Sequence, residues 1–181
     1  MKTTLLKLLP LTIIAMVSCE KHNIKVNVNS FMGSDINIPT NMLFFEGEKD
    51  MNIHNKISKM IIWYDSTECS QCKLHNVDDY LKFESEINDT IKKMDIAIVF
   101  SPDIATIKMK LFVSQITHLH YYPIYVDTAN AFYKLNPHIP ENKLMHTFLL
   151  DATNKVVLVG SPTQNRAMSD LYKKTIEEMV N

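Results

Sequence analysis

Runs of largely apolar residues of strand length constrain the fold of this chain more than any other feature. Three of them, Met60–Tyr64, Asp95–Phe100 and Tyr122–Val126, lack the alternation of apolar and polar residues that a strand with one wet face shows. They therefore predict strands buried on both faces of a sheet. Apolar residues at helical spacing follow the first run through Ile87, and a second helix is predicted from Ser101 to about Ile116. Alternating strands and helices predict an α/β domain whose sheet is flanked by helices on both faces.

The C-terminal part of the sequence predicts a hairpin and a closing helix. Two apolar stretches, Thr147–Leu150 and Val156–Val159, flank the turn-forming residues Asp151–Asn154. Because hairpin strands are antiparallel, the central sheet is expected to be mixed. The closing helix is predicted from about Asn165 to Met179, and its apolar face comprises Met168, Leu171, Tyr172 and Ile176.

The segment from Phe31 to Ile57 is less regular and reads as an N-terminal extension of the sheet. Ile36–Pro39 and Met42–Phe45 are candidates for short strands within it. No internal repeat and no long linker follows Ser30. Residues 31–181 are therefore predicted to form one domain, in line with the usual size of about 100–200 residues.

The first 18 residues are typical of a secretory signal peptide. Lys2 and Lys7 give a positive start, and the apolar run from Leu8 to Val17 is far shorter than the ~20 residues that cross a bilayer. Residues Met16–Cys19 resemble a bacterial lipobox, in which the cysteine is lipidated and becomes the mature N-terminus. We therefore expect residues 1–18 to be a lipoprotein signal peptide and Cys19 to carry the lipid. Ordinary signal cleavage, with Cys19 free or discarded, is the alternative.

The polar, asparagine-rich residues 19–30 are predicted to be a tether between the lipid and the domain. More than one acyl chain on Cys19 would hold the protein stably at a membrane surface. The expected location is extracytoplasmic, on the periplasmic side or the outer surface of a bacterial membrane. In that compartment a cysteine pair can persist as a disulfide.

Composition excludes two classes of function. The 19 lysines and arginines are balanced by 20 acidic residues, so no excess of positive charge favours binding to nucleic acid. The three glycines, Gly33, Gly47 and Gly160, lie far apart in the sequence. Nucleotide-binding loops need clustered glycines so that backbone amides can approach phosphate, and these loops are therefore excluded.

A Cys-x-x-Cys pair, Cys69-Ser70-Gln71-Cys72, lies where the first predicted strand is followed by a helix. One helical turn separates the two cysteines, so their sulfur atoms can meet. At the helix N-terminus, unpaired backbone amides and the helix dipole favour an anion, which lowers the pKa of the Cys69 thiol. Cys72 is expected to be more buried and to react second in thiol–disulfide exchange. A static structural disulfide or an inert pair is the alternative.

The stretch IIWYDSTECSQCKLH resembles the active-site strand and helix of the thioredoxin-like superfamily. Residues 121–160 resemble the second half of its TlpA-like branch, whose members are commonly membrane-tethered. The shared pattern is a strand ending in Asp127, a short helix, an irregular stretch and the strand Thr147–Asp151 before a hairpin. The resemblance covers about residues 31–181 and extends to extracytoplasmic lipoproteins of Bacteroides-type bacteria. It implies a thioredoxin-like fold and disulfide exchange through Cys69 and Cys72, without an organic cofactor.

Three positions depart from the pattern of this superfamily. Glu68 stands where an aromatic residue usually precedes the first cysteine, and a carboxylate there should raise the pKa of the Cys69 thiol. Met145, followed by His146, stands where the family has a cis-proline that faces the disulfide. A cis bond before a non-proline residue costs about 2.5–4 kcal/mol, so a trans bond or a rearranged loop is expected. Trp63 stands at the place of the buried acid of thioredoxins, so proton transfer at the second cysteine needs another group.

Glu68, Met145 and His146 are therefore the candidate modulating residues, and each has an alternative role. His146 could stabilise the Cys69 thiolate or shuttle a proton, or it could be a surface histidine at the entry to a strand. Met145 could join Cys69, Cys72 and His146 in a Cu(I) site, because soft ligands select soft ions, or it could fill a gap in the core. Glu68 could tune Cys69 or simply favour the start of a helix.

Together these features predict a lipid-anchored extracytoplasmic enzyme, a thiol–disulfide oxidoreductase in which Cys69 attacks and Cys72 resolves. The expected partners are thiols or disulfides of exported proteins and a membrane or periplasmic electron donor, with no metal and no nucleic acid. Two other functions stay open at this point. One is a metal-binding protein similar to a copper chaperone, and the other is a redox-inactive binding protein with the thioredoxin fold.

Overall fold

The described part of the chain is built around a mixed β-sheet. The computed structural model describes residues 28–40, 42–45, 57–68, 73, 76–90, 94–101 and 124–180. The strands in these ranges are β1 Leu43–Phe45, β2 Ser58–Tyr64, β3 Met94–Phe100, β4 Ile124–Val126, β5 Thr147–Leu150 and β6 Val156–Val159. They form one six-stranded sheet in the order β1-β4-β3-β2-β5-β6. Strands β2, β3 and β4 are parallel, and the other three pair antiparallel with their neighbours.

The helices described along their whole length are α1 Val77–Thr90, α2 Ala131–Leu135 and α3 Arg166–Val180, with a 3₁₀ turn at Lys143–Met145. Residues 28–31 are also helical. Side chains from outside the helices satisfy the first backbone amides of two of them. Asn165 Oδ1 accepts from Met168 N at the start of α3, at 2.9 Å. The Asp127 carboxylate accepts from the first two amides of α2, at 2.8 and 2.7 Å. Among the described residues, no helix has the length and apolar character needed to span a bilayer.

Alternate residues of β2 face two separate hydrophobic cores. Met60, Ile62 and Tyr64 pack with α1 and α3 on one face of the sheet. Ile61 and Trp63 pack on the other face with α2 and with the N-terminal residues. This alternation is expected of a β-strand, because successive side chains point to opposite faces of the sheet. The prediction of a mixed α/β sheet flanked by helices on both faces is confirmed.

Most of the predicted elements that fall in the described ranges are found close to their predicted bounds. Strands β2 and β3 begin one or two residues before the predicted apolar runs, and β5 and β6 have the predicted bounds. The prediction that Leu171 belongs to the buried face of α3 is wrong, because its side chain is exposed. The helix predicted from Ser101 to Ile116 lies, apart from its first residue, outside the described residues.

The short strand predicted at Ile36–Pro39 is not formed. Ile36 is buried in the core, but the backbone of Asn37 is hydrogen-bonded by a side chain rather than by a neighbouring strand. Asn37 N donates to Asn136 Oδ1 at 2.7 Å, and Asn136 Nδ2 donates to Asn37 O at 2.8 Å. A side-chain amide thus takes the place of a strand partner, which the apolar pattern of the sequence does not reveal.

Residues 28–36, here the N-terminal strap, lie along the outer edge of β6. Gly33 N donates to Val156 O at 2.7 Å, and Val156 N donates to Ser34 O at 3.0 Å. Phe31 inserts into the core, where its ring meets Phe148 edge-on with ring centroids 5.2 Å apart. The strap therefore covers backbone groups at an edge that would otherwise be open to pairing with another chain.

Candidate functional site

The predicted site residues fall into two groups. Cys19, Cys69 and Cys72 lie outside the described residues. Glu68, Met145 and His146 are described, and the sheet brings the first and last of them together. Strand β5 is antiparallel to β2, with Thr147 opposite Ile62. The beginning of β5 therefore lies beside the end of β2, which leads to Glu68.

The turn from Asp65 to Glu68 has side-chain-to-backbone hydrogen bonds in both directions, in a pattern close to that of a capping box. Asp65 Oδ1 accepts from Thr67 N at 2.9 Å and from Thr67 Oγ1 at 2.7 Å. Glu68 Oε2 in turn accepts from Asp65 N at 3.4 Å, and Glu68 N donates to Asp65 O at 3.1 Å. This pattern is typical of the first turn of a helix. It directs the Glu68 carboxylate back toward the end of β2.

The Glu68 carboxylate lies between a lysine and a histidine. Glu68 Oε1 is 3.0 Å from Lys73 Nζ, and Glu68 Oε2 is 3.9 Å from His146 Nδ1. Burial raises the pKa of Glu68, but the interactions with His146 and Lys73 outweigh this effect and hold the pKa below its usual value. Glu68 is therefore an anion at neutral pH, and Lys73 offsets its charge.

His146 is buried, with 3% of its surface exposed, so the alternative of a surface histidine is wrong. Its Nε2 lies 2.9 Å from Pro140 O. Because a carbonyl oxygen only accepts, Nε2 carries a proton and donates it to Pro140 O. The other nitrogen, Nδ1, lies on the side of Glu68, 3.9 Å from Glu68 Oε2. It has no hydrogen-bond partner among the described residues.

Met145 lies at the end of the 3₁₀ turn and is fully buried among apolar side chains, which include Trp63 and Phe148. Its amide donates to Asn142 O at 2.9 Å. No peptide bond of the described residues is cis, so the expected trans bond at Met145 is confirmed. The burial of Met145 in this core favours the gap-filling role over a role as metal ligand.

Trp63, at the place where the resemblance implies a buried acid, forms an aromatic wall with two other rings. Its ring lies 4.3 Å from that of His146, centroid to centroid, and 5.9 Å from that of Tyr133, with which it is nearly parallel. The indole Nε1 donates to Ser101 Oγ at 3.1 Å. This side chain supplies packing and one hydrogen bond, and it offers no group that could transfer a proton at neutral pH.

A cavity of about 430 Å³ opens beside this wall. Its lining includes Trp63, Tyr133 and His146 together with Asp65, Thr67 and Lys143. Lys143 Nζ forms an ion pair with Asp65 Oδ2. Sequence reasoning missed this pair, because the two residues belong to distant loops and share no local pattern.

On the other side of Glu68, the phenol of Tyr64 is held in its protonated form. Burial raises the pKa of Tyr64, and the neighbouring Tyr80 raises it further. Lys73 Nζ lies 5.4 Å from the centre of the Tyr64 ring, within range of a cation–π interaction. Lys73 therefore contacts both an anion and an aromatic face, which keeps its ammonium group beside Glu68.

Neither a known protein family nor a curated protein matches this sequence. Similar folds are found among solved structures. The thioredoxin domain of a thiol-disulfide oxidoreductase from Bacteroides vulgatus matches with a TM-score of 0.52 and 16% identity, covering 83% of this chain and 98% of that one. A thiol:disulfide interchange protein from a Bacteroides species matches with a TM-score of 0.50 and 17% identity, covering 83% of this chain and 90% of that one. The chain therefore has a thioredoxin-like fold.

Proposed function

We propose that this protein is a thiol–disulfide oxidoreductase of the TlpA-like branch that acts through Cys69 and Cys72. The observation that carries the proposal is the position of the cysteine pair in a thioredoxin-like fold. In the sequence it directly follows β2 and the capping-box turn at Asp65–Glu68. Both similar structures are named for thiol–disulfide chemistry, which is consistent with the same reaction here.

The reaction proceeds in two exchanges. The Cys69 thiolate attacks one sulfur of a substrate disulfide, so that a mixed disulfide forms and the other substrate sulfur leaves as a thiolate. The Cys72 thiolate then attacks the sulfur of Cys69 and releases the second substrate sulfur. The substrate gains two electrons and two protons, and the protein becomes a disulfide. A partner dithiol reduces it again by the same steps in reverse.

The protein acts outside the cytoplasm and is held at a bacterial membrane through Cys19. In this proposal residues 1–18 are a lipoprotein signal peptide, residues 19–30 a tether and residues 31–181 the catalytic domain. Exported proteins supply the thiols or disulfides, and a membrane or periplasmic donor supplies electrons. A location outside the cytoplasm suits the chemistry, because disulfides persist there.

Glu68 and His146 modulate the reaction, and Met145 shapes the loop that precedes β5. Glu68 is the residue before Cys69, and its charge is offset by Lys73 at 3.0 Å. A buried imidazole nitrogen 3.9 Å from the same carboxylate can accept a proton. Glu68→Gln removes the charge and is expected to change the rate of exchange. Glu141→Gln, which removes a carboxylate in the lining of the cavity beside Trp63 and His146, is the matched control.

Reduction of insulin disulfides by the full chain tests the proposal. Cys69→Ser is expected to abolish the activity, because the attacking sulfur is lost. Cys72→Ser is expected to accumulate a mixed disulfide with its substrate, because the resolving sulfur is lost. Cys19→Ser should keep the exchange activity but release the protein from the membrane fraction. Full activity in Cys69→Ser contradicts the proposal.

The same set of variants separates the two other functions from exchange. Copper bound in stoichiometric amount by the reduced protein, and lost in Cys69→Ser, indicates a metal-binding protein that uses the cysteines with His146 or Met145. A cysteine pair that stays oxidised in the presence of a reductant as strong as thioredoxin indicates a redox-inactive binding protein.

A further inference from the structure

We propose that Asp65, Glu68 and His146 form a binding site for one divalent transition-metal ion of the Zn²⁺ type. The site offers two carboxylate oxygens and one imidazole nitrogen, a set that suits Zn²⁺ better than the all-oxygen cations Mg²⁺ and Ca²⁺. It does not use Cys69 or Cys72, so metal binding can be tested without the exchange reaction, although the site shares Glu68 and His146 with the proposed modulating residues.

The three ligand atoms already lie near one another. One atom from each residue can be chosen so that all three are within 4.8 Å of each other. At the usual Zn–O and Zn–N distances, ligand atoms around a tetrahedral ion are about 3.4 Å apart. The His146 Nδ1 to Glu68 Oε2 distance of 3.9 Å is therefore about half an ångström too long. Asp65 and Glu68 lie on a turn, and side-chain rotation there can close the remaining distance.

His146 has the features of a metal ligand before any metal binds. Its Nδ1 is buried, has no hydrogen-bond partner among the described residues and faces the Glu68 carboxylate. Its Nε2–H is held by Pro140 O at 2.9 Å. Metal-binding histidines nearly always donate their other ring N–H to a carbonyl or carboxylate in this way, because that bond fixes the tautomer and the orientation of the ring.

In the absence of a metal, two lysines form ion pairs with the carboxylates of the site. Lys73 pairs with Glu68, and Lys143 pairs with Asp65. The Lys73 and Lys143 side chains are 35% and 41% exposed, so both ammonium groups can move into solvent when an ion enters. The lysines therefore act as competitors that the metal displaces, and removing one of them should strengthen binding.

The cavity of about 430 Å³ gives the ion access and room for a further ligand. Asp65 and His146 both line it. Three protein ligands and one open position are the arrangement in which zinc keeps a water molecule.

Calorimetric titration of the full chain carrying Cys69→Ser and Cys72→Ser with Zn²⁺ tests the proposal. We expect one Zn²⁺ per chain with a dissociation constant in the micromolar range. Glu68→Gln should weaken binding by about tenfold or more, and His146→Gln should do the same. The control His138→Gln removes an exposed histidine outside the site and should leave binding unchanged. Absence of Zn²⁺ binding, or equal affinity in Glu68→Gln, overturns the proposal.

Lys143→Met provides a second test, because its expected result, tighter Zn²⁺ binding, cannot arise from a loss of folding. It removes the competing cation from Asp65, and we therefore expect tighter Zn²⁺ binding than in the parent chain. Unchanged or weaker binding by a folded Lys143→Met protein contradicts the proposed site. Cobalt gives a spectroscopic check, because an oxygen and nitrogen site lacks the charge-transfer absorption of Co²⁺ bound to thiolate. Neither readout depends on disulfide exchange, so failure of the exchange assay leaves this test intact.

Discussion

The imidazole of His146 lies against the indole of Trp63, with ring centroids 4.3 Å apart and ring planes inclined by 31°. The backbones of these residues are also joined, since Trp63 N donates to His146 O at 2.8 Å. Trp63 is the single tryptophan of the chain. Its fluorescence therefore reports directly on the histidine of the candidate site.

Replacement of His146 by leucine is expected to increase the emission of Trp63, because an imidazole in contact with an indole quenches it. The same change removes the ring contact and leaves Pro140 O without its donor. We expect a loss of about 1–3 kcal/mol in the free energy of unfolding. Steady-state fluorescence and urea unfolding measure the two effects. The control is His138→Leu, which changes a histidine outside the Trp63 environment. Identical emission of the wild type and His146→Leu would contradict the close contact between the two rings.

Phe31→Ala is expected to lower the free energy of unfolding by about 3–5 kcal/mol. The ring is buried and meets Phe148 edge-on, so its removal leaves a cavity in the core on that face of the sheet. The matched control is Met32→Ala, because Met32 is the next residue and is 38% exposed. Urea unfolding of both variants separates the effect of burial from that of position. Equal losses would show that Phe31 does not anchor the N-terminal strap.

Gly160→Ala is expected to destabilise the protein more than Gly33→Ala. The φ angle of Gly160 is +117°, far from the left-handed well near +57°, and a Cβ there would lie 3.0 Å from Met168 Cε. The φ angle of Gly33 is +78°, and a Cβ there would have no neighbour within 4 Å. We expect losses of about 1–3 kcal/mol for Gly160→Ala and about 1 kcal/mol for Gly33→Ala. Thermal unfolding under identical conditions measures them, and the reverse order would be incompatible with these backbone angles.

The stabilising contribution of Asp151 is expected to disappear in acid. Burial raises the pKa of its carboxyl group, but hydrogen bonds from Lys155 and Thr153 and the charge of Lys59 outweigh burial and hold the pKa below its usual value. A carboxyl group with a lowered pKa in the folded state stabilises that state above the pKa of the unfolded chain, about 3.9. This contribution is lost as the pH falls through the folded pKa.

Comparison with Asp151→Asn isolates this effect. The asparagine oxygen can accept the same turn hydrogen bonds but carries no charge. The wild type should be the more stable protein near pH 7, and the difference should shrink at about pH 3. Urea unfolding at both pH values gives the comparison. A difference that stays constant between them would argue against a lowered pKa.

The strands at the centre of the sheet were predictable because they are buried on both faces. Met60–Tyr64 is an uninterrupted apolar run, as expected of a strand whose two faces are both covered by a hydrophobic core. The pairing of β1 with β4 was not predictable, because each strand is three residues long and carries no periodic signal. The failed prediction at Ile36–Pro39 has the same origin, since a distant asparagine side chain satisfies that backbone.

Part of the candidate site was also predictable from the sequence. Glu68 and His146 were found from their positions relative to the cysteine pair and to the strand at Thr147. The pairing of Lys143 with Asp65 and the unpartnered Nδ1 of His146 depend on how distant loops meet after folding. The spacing of residues in the sequence does not predict these contacts, because they follow from the antiparallel register of β5 against β2.

The N-terminal strap has a mechanical consequence. Backbone bonds at Gly33 and Ser34 attach it to β6, the outermost strand, and the ring of Phe31 inserts beneath it. A force applied to the chain before Val28 would act on these hydrogen bonds one after another before it acted on β2. The strap would detach first under tension, and the strands beside Glu68 and His146 would keep their register.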